Sequence, residues 1–419
     1  MAASLNNQVY YGWKIVAAIL VLLTFTSGLS FYNHAIYLNA LATRPAFDVS
    51  TASMAVSIFF FTGGISGLGV ARWVQDYDPR ICISVGAVIS FVSLCLLAYV
   101  NTVWQLFLVY ALFGTGFSAS SLIPATTLIT RWFHRRRAMA LSIASTGLSL
   151  GGVILTPLSV LLVDSLGFEV AAPILGVTFL LGVAPVAWIF LRKDPASMGL
   201  NIDGLPDDLK ADSGSVATGS PRILENGITF RQARGGKFFW SISLAYIFLM
   251  MAQVGGIAHQ YGLARELLTD AQTAVAVAIL PIASIVGRLL GGWLVDRMSI
   301  RVFAIGMMIL QATSLSLLSG GFNIFTLCIG LALFGTTVGN LLMLQPLLIA
   351  EAFGVRDYAK IFSVSNLMSS WGTALGPALL GFVYTASENL YGVAYAVAAT
   401  AGAVGMMLFL TGGKIQKAS

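Results

Sequence analysis

The chain has 419 residues, 57% of them hydrophobic and only 10% charged, with a formal net charge of +6 and a mean hydropathy of +0.86. A soluble domain carries about 25% charged residues, so this composition excludes a water-soluble globular protein and describes a polytopic membrane protein. The three cysteines (Cys82, Cys95 and Cys328) lie in apolar runs, the three histidines are scattered, and no Gly-rich phosphate loop follows a strand pattern. No disulfide framework, metal site or nucleotide site is readable from these.

Charge-free runs place the membrane spans in order. The first lies within residues 15–43; it is too long for a cleavable leader and reads as a true span. The second lies within 49–71, and 81–130 holds two helices that turn at Asn101 and Thr102. Residues 138–163 and 170–191 complete six. After a polar stretch come 238–264, 271–294, a double run over 302–350 that turns near 319–323, then 361–387 and 389–413. Each run supplies the ~20 apolar residues that a span requires. The expected fold is therefore all-α, with twelve transmembrane helices in two sixes. Residues 1–191 form the first bundle, 192–236 a flexible cytoplasmic linker too polar to fold alone, and 237–419 the second bundle.

All lysines and arginines except Arg44, Arg265 and Arg288 fall in segments on one side of these spans. Positive charge marks the cytoplasmic side, so both termini are expected there, in a cell (inner) membrane protein. Arg288 is the exception inside a span. It lies eight residues before Asp296, or about 12 Å along a helix at ~1.5 Å per residue, near the middle of a slab ~30 Å thick. None of the 17 acidic residues falls inside a predicted span. The counter-charge of Arg288 must then be a helix dipole, a wet cavity or an anion from solution.

The two sixes repeat. Ala111-Leu-Phe-Gly-Thr115 recurs as Ala332-Leu-Phe-Gly-Thr336, Arg80 corresponds to Arg301, and Gly151 and Pro157 correspond to Gly372 and Pro377. Several matches at one offset of about 221 residues mark an internal repeat. Parallel six-helix repeats enclosing a midplane site are the architecture of a rocker-switch transporter.

On these residues the chain resembles the major facilitator superfamily. The superfamily's loop signature appears after the eighth span as Gly292-Trp-Leu-Val-Asp296-Arg297-Met-Ser-Ile-Arg301, with Asp296, Arg297 and Arg301 as its gating residues. Its copy after the second span has Gln75 in place of the aspartate. Within the superfamily the chain is similar to the monocarboxylate transporters and the related oxalate:formate antiporters. The likeness rests on Trp132-Phe-His-Arg-Arg-Arg-Ala138 and on the start Tyr11-Gly-Trp-Lys14, which lacks that signature's acidic residue. The resemblance implies that Arg288 binds a carboxylate, and that proton symport drives transport. Ser284 stands where animal members carry an aspartate, and span one lacks their lysine.

Beside Arg288, a guanidinium that can grip a carboxylate through two charge-assisted hydrogen bonds, the candidate binding residues are Ser284, Tyr110, Asn366, His259 and Asn33. Ser284 lies one turn earlier on the same helix face; the others are polar residues within apolar runs. His34 and His259 are the candidate proton carriers, because histidine titrates near neutral pH. The expected partners are a small carboxylate, protons and the lipid bilayer, with no nucleic acid and no obligate protein partner. No cofactor, metal or enzymatic activity is expected, since the spans hold no paired carboxylates and no nucleophile–base pair. An oxalate:formate type of anion exchanger and a non-transporting membrane sensor are the alternatives.

Overall fold

The computed structural model describes residues 10–133, 136–204, 227–295, 297–320, 323–354 and 356–413, with the side chains at 75, 76, 137, 138, 358 and 359 left aside. Of the predicted linker, residues 205–226 lie outside these residues. Twelve long helical spans follow in order: Tyr11–Ala42, Val49–Asp76, Pro79–Leu97, Val103–Trp132, Arg137–Leu166 and Phe168–Phe190, then Lys237–Arg265, Asp270–Val295, Ile300–Ser319, Ile324–Phe353, Tyr358–Ala386 and Tyr391–Thr411. A short helix, Phe230–Gly235, leads into the seventh.

Local chemistry sets the span ends. Asp48 caps span two by accepting from the Thr51 amide at 2.8 Å. Asp78 caps span three, with Pro79 in the first turn, where the missing N–H costs nothing. Spans five and six are joined through Gly167 alone, at φ +77°, a left-handed conformation that glycine adopts without strain. At the basic end, Tyr10 shares its hydroxyl proton between the carbonyls of Trp132 (3.1 Å) and Asn201 (3.0 Å). Burial and the nearby Asp203 charge push that phenol up to about 12. It keeps its proton at any physiological pH, so the anchor does not titrate.

Eleven of the spans are long and apolar enough to cross a membrane, and Tyr358–Ala386 is not among them although it runs 29 residues. The polar surplus lies on two faces: Ser365 and Ser369 are buried and accept from the Gln345 amide at 3.0 and 2.7 Å, and a second stripe is more open. Ser363 and Asn366 are exposed, and Ser370 and Thr373 half-buried, at helical spacing. Leu367, Trp371 and Leu375 form an apolar exposed stripe beside it, suited to lipid.

Two irregularities were invisible in the hydropathy pattern. Span one passes through a π-helical turn, Ser27–Tyr32, and span four breaks at Ser121 (φ −110°, ψ −128°). The break follows from Pro124, whose ring clashes with the carbonyl four residues earlier if the helix continues.

The internal repeat reappears in the packing. Gly114 abuts the Phe59 carbonyl across spans four and two, and Gly335 abuts the Leu280 carbonyl across spans ten and eight. Both pairs are related by the same offset of about 221 residues. Between the two sixes, span two packs on span eleven and span five on span eight. Span one meets span seven through its last segment, His34–Ala42. The cores also merge at that end: Ala258, Tyr261, Ala274 and Val277 of the second six join the cluster of the first. The halves are thus sealed at the face opposite the basic loops.

Candidate functional site

Arg288 projects from span eight at a place hollowed to receive it. A Cβ on Gly339 of span ten would lie 2.5 Å from its Nε and 2.7 Å from its Cγ. Gly287 lets span eight approach span ten at Thr336, and Asn340 ties the two by donating to the carbonyls of Gly287 (2.9 Å) and Thr336 (2.8 Å). The guanidinium crosses to the other half. Its Nη2 donates to Ser149 Oγ of span five at 3.0 Å, and its Nη1 reaches the Ser145 carbonyl at 3.4 Å. On its own helix Ser284 Oγ lies 3.4 Å from Nη2, and Nε has no hydrogen-bond partner. Tyr32, from the π-helical turn of span one, lies beside Ser149 and Arg288. Among the described residues no carboxylate pairs with Arg288. A cation with five donors thus makes one good hydrogen bond and two long ones, an under-satisfied charge poised for an anion.

The other predicted residues separate into two places. His259 sits in the seal between the halves. Its Nε2 lies 3.1 Å from the Pro377 carbonyl and 3.2 Å from Ser53 Oγ. A carbonyl only accepts, so Nε2 carries the proton, and Nδ1 is left without a partner. Nearby, the Ala378 amide donates to Ser57 Oγ at 2.9 Å. Further out, Arg265 pairs with Asp270 at 2.7 Å, and Asp164 of span five faces them across the boundary. His259 therefore joins spans two, seven and eleven and does not stand beside Arg288.

His34, Tyr110 and Asn33 lie inside the first six-helix bundle. The His34 ring is boxed by Phe59 at 4.2 Å and by Phe60 and Tyr110 at 5.7 Å, and neither ring nitrogen has a partner. Tyr110 is fully buried against it. Asn33 donates to Ser159 Oγ (2.7 Å) and Tyr37 Oη (3.2 Å), a helix-to-helix tie. Asn366 is exposed on the polar stripe of span eleven. Of the loop signature, Asp296 lies outside the described residues. Arg297 stacks on Trp293 with its guanidinium 3.8 Å from the ring centre, and Arg301 lies 5.6 Å from that of Phe409.

Sequence reasoning missed Ser145, Ser149, Tyr32 and Gly339. A signal existed for the serines: Ser142, Ser145 and Ser149 recur on one face of an otherwise apolar helix. Gly339 gives a sharp expectation. Gly339→Ala should displace the guanidinium and weaken anion binding by about tenfold, a cost of ~1–3 kcal/mol for overpacking. Binding isotherms of the purified variant check this, and unchanged affinity would mean that Arg288 need not occupy this slot.

Two pseudo-equivalent six-helix bundles, closed at one face around a half-buried cation, define a two-half membrane transporter. The comparisons agree. The Major Facilitator Superfamily matches residues 20–263 and 252–417. An MFS-type transporter of Gibberella moniliformis is 25% identical over 337 residues, covering 79% of this chain and 75% of that protein. Monocarboxylate transporter 12 of Rattus norvegicus is 26% identical over 347 residues, covering 74% and 68%. A bacterial homologue of the human lysosomal transporter Spinster, in an inward-facing and occupied conformation, superimposes with a TM-score of 0.74 at 17% identity, covering 98% of both chains. The chain belongs to the Major Facilitator Superfamily and is a multi-pass membrane transporter, not an enzyme.

Proposed function

We propose that the protein carries small organic monocarboxylates, lactate- or pyruvate-like anions, by alternating access, with the carboxylate bound by Arg288. The observation that carries this reading is the guanidinium held between the halves with an unpartnered Nε and no carboxylate partner among the described residues. An incoming carboxylate replaces the long bond to the Ser145 carbonyl with charge-assisted bonds. It neutralises the one cation at the midplane, which lowers the cost of closing the basic face around the site. With the basic loops on the cytoplasmic side, a seal at the opposite face fits the inward-facing stage of that cycle. A single cation favours a monoanion over the dianion of an oxalate:formate exchanger.

Proton symport is part of the reading. Of the two histidines, His259 is the better placed carrier, because it joins both halves and its Nδ1 is free to accept. The test is uptake of labelled lactate into proteoliposomes, with an imposed pH gradient and then without one. Saturable uptake that an inward proton gradient accelerates is expected. Saturable uptake of a neutral solute, with no competition by carboxylates, would overturn the reading, and carboxylate uptake indifferent to the gradient would remove the proton from it.

A further inference from the structure

One face of span seven leads from the seal to the surface opposite the basic loops. His259, Gly262 and Glu266 stand at i, i+3 and i+7, so they follow one stripe about 10 Å long. Tyr391, the first residue of span twelve, lies along that stripe. Its ring centre is 5.8 Å from that of His259. Its hydroxyl rests on Gly262, where any Cβ would collide with it. Its backbone N–H faces the carboxylate of Glu266, which stands just beyond the end of span seven. One tyrosine thus reaches from a surface carboxylate toward a buried histidine.

A proton carrier inside the seal needs a way to water, and His259 is fully buried. Glu266 is exposed, and no cation among the described residues pairs with it, since its neighbour Arg265 is held by Asp270 at 2.7 Å. Partial burial raises the Glu266 carboxyl above its usual range, against the pull of the Tyr391 N–H, so it binds a proton more readily near neutral pH. The other titratable groups facing the stripe are tyrosines. Tyr384 stacks on Tyr391 at 4.2 Å, and the Tyr395 hydroxyl donates to the Gly256 carbonyl at 2.7 Å. From the first half, the Asn39 amide of span one lies against the Tyr391 hydroxyl, its Nδ2 2.8 Å from where a Gly262 Cβ would stand. A carboxamide does not titrate, so Asn39 interrupts the stripe while the seal is shut.

We propose that Glu266 and Tyr391 form the passage by which His259 exchanges its coupling proton with the face opposite the basic loops, opened when the parting halves draw Asn39 away. This rests on His259 being the proton carrier. On the way in, a proton bound from water by Glu266 moves to the Tyr391 oxygen as the hydroxyl proton moves on to His259 Nδ1. Glu266 returns to carboxylate, Tyr391 ends neutral and the imidazole ends as imidazolium, so one proton is passed and no other charge changes. Glu266 also suits the N-terminal end of span twelve as a simple counter-charge. Glu266→Gln separates the two roles: glutamine keeps the shape and an acceptor for the Tyr391 N–H but carries no titrating proton.

The test compares two modes of labelled lactate transport by the full-length protein in proteoliposomes. One is uptake driven by an inward proton gradient; the other is exchange against internal unlabelled lactate without a gradient, which needs no net proton movement. Glu266→Gln and Tyr391→Phe should each lower gradient-driven uptake on the order of 100-fold, as expected for losing a positioned proton-transfer group, and leave exchange at the wild-type rate. His259→Gln is the reference and should show the same split. Gradient-driven uptake near wild type in either variant, while His259→Gln loses it, would overturn the passage and leave the histidine carrier standing. Loss of exchange together with uptake in both variants would mark Glu266 and Tyr391 as supports of the helix ends and equally overturn it. Full gradient-driven uptake by His259→Gln, or a wild type indifferent to the gradient, would instead remove the histidine carrier itself.

Discussion

Arg288→Lys is expected to lower carboxylate uptake on the order of 100-fold while the protein still folds and inserts. Lysine keeps the charge but loses the planar fork, and with it the two parallel hydrogen bonds that hold a carboxylate. Losing one charge-assisted bond of the pair costs about 1.5–3 kcal/mol, and the shorter reach of an ammonium weakens the other. The same residue should be a burden on stability. It is a largely buried cation with one good hydrogen bond, and replacing such a charge by an apolar side chain of similar volume is often stabilising by about 1–4 kcal/mol. Arg288→Met should therefore raise the melting temperature as it abolishes transport. Loss of both stability and transport would mark Arg288 as a structural strut between spans eight and five. Uptake by Arg288→Lys near that of the wild type would remove the bidentate grip.

The second large effect is expected at the seal. Gly381 of span eleven lies so close to Ser53 and the Val49 carbonyl of span two that any side chain collides with the other half. Gly381→Leu should cost the closed seal about 1–3 kcal/mol. The alternate state has the halves parted there, so the variant should shift its population by roughly 5- to 150-fold. A cysteine at Ser57, in a background lacking Cys82, Cys95 and Cys328, reports the shift. An impermeant maleimide added from the face opposite the basic loops should label it many times faster in the Gly381→Leu variant. Equal labelling rates would show that this contact does not hold the seal.

Hydropathy and the positive-charge pattern located every span to within a few residues, because a membrane span is a local property of composition. Span eleven shows the limit of that signal: its apolar content falls short because one face carries Ser363, Asn366, Ser370 and Thr373 and another the buried Ser365 and Ser369. The repeat was legible in the Ala-Leu-Phe-Gly-Thr motif, since the same glycine contact is used twice. The site was less legible. Arg288 and Ser284 share a turn of one helix, so their proximity follows from spacing. Ser145 and Ser149 meet Arg288 only because span five packs on span eight across the two halves, which no local pattern encodes. His259 and His34 have similar sequence settings, yet one lies in the seal and the other in an aromatic box. Their fates depend on which helices face them. The π-helical turn that brings Tyr32 to Arg288 left no trace in the hydrophobic period.

The claim that Arg288 binds a carboxylate is tested most directly by competition between propionate and its neutral isostere propionamide for labelled lactate uptake into proteoliposomes. The two differ by one charge at nearly constant shape. Propionate should compete, and propionamide should be at least about 100-fold weaker, because an amide offers Arg288 a single neutral acceptor. Equal competition by the two would contradict carboxylate recognition by this arginine.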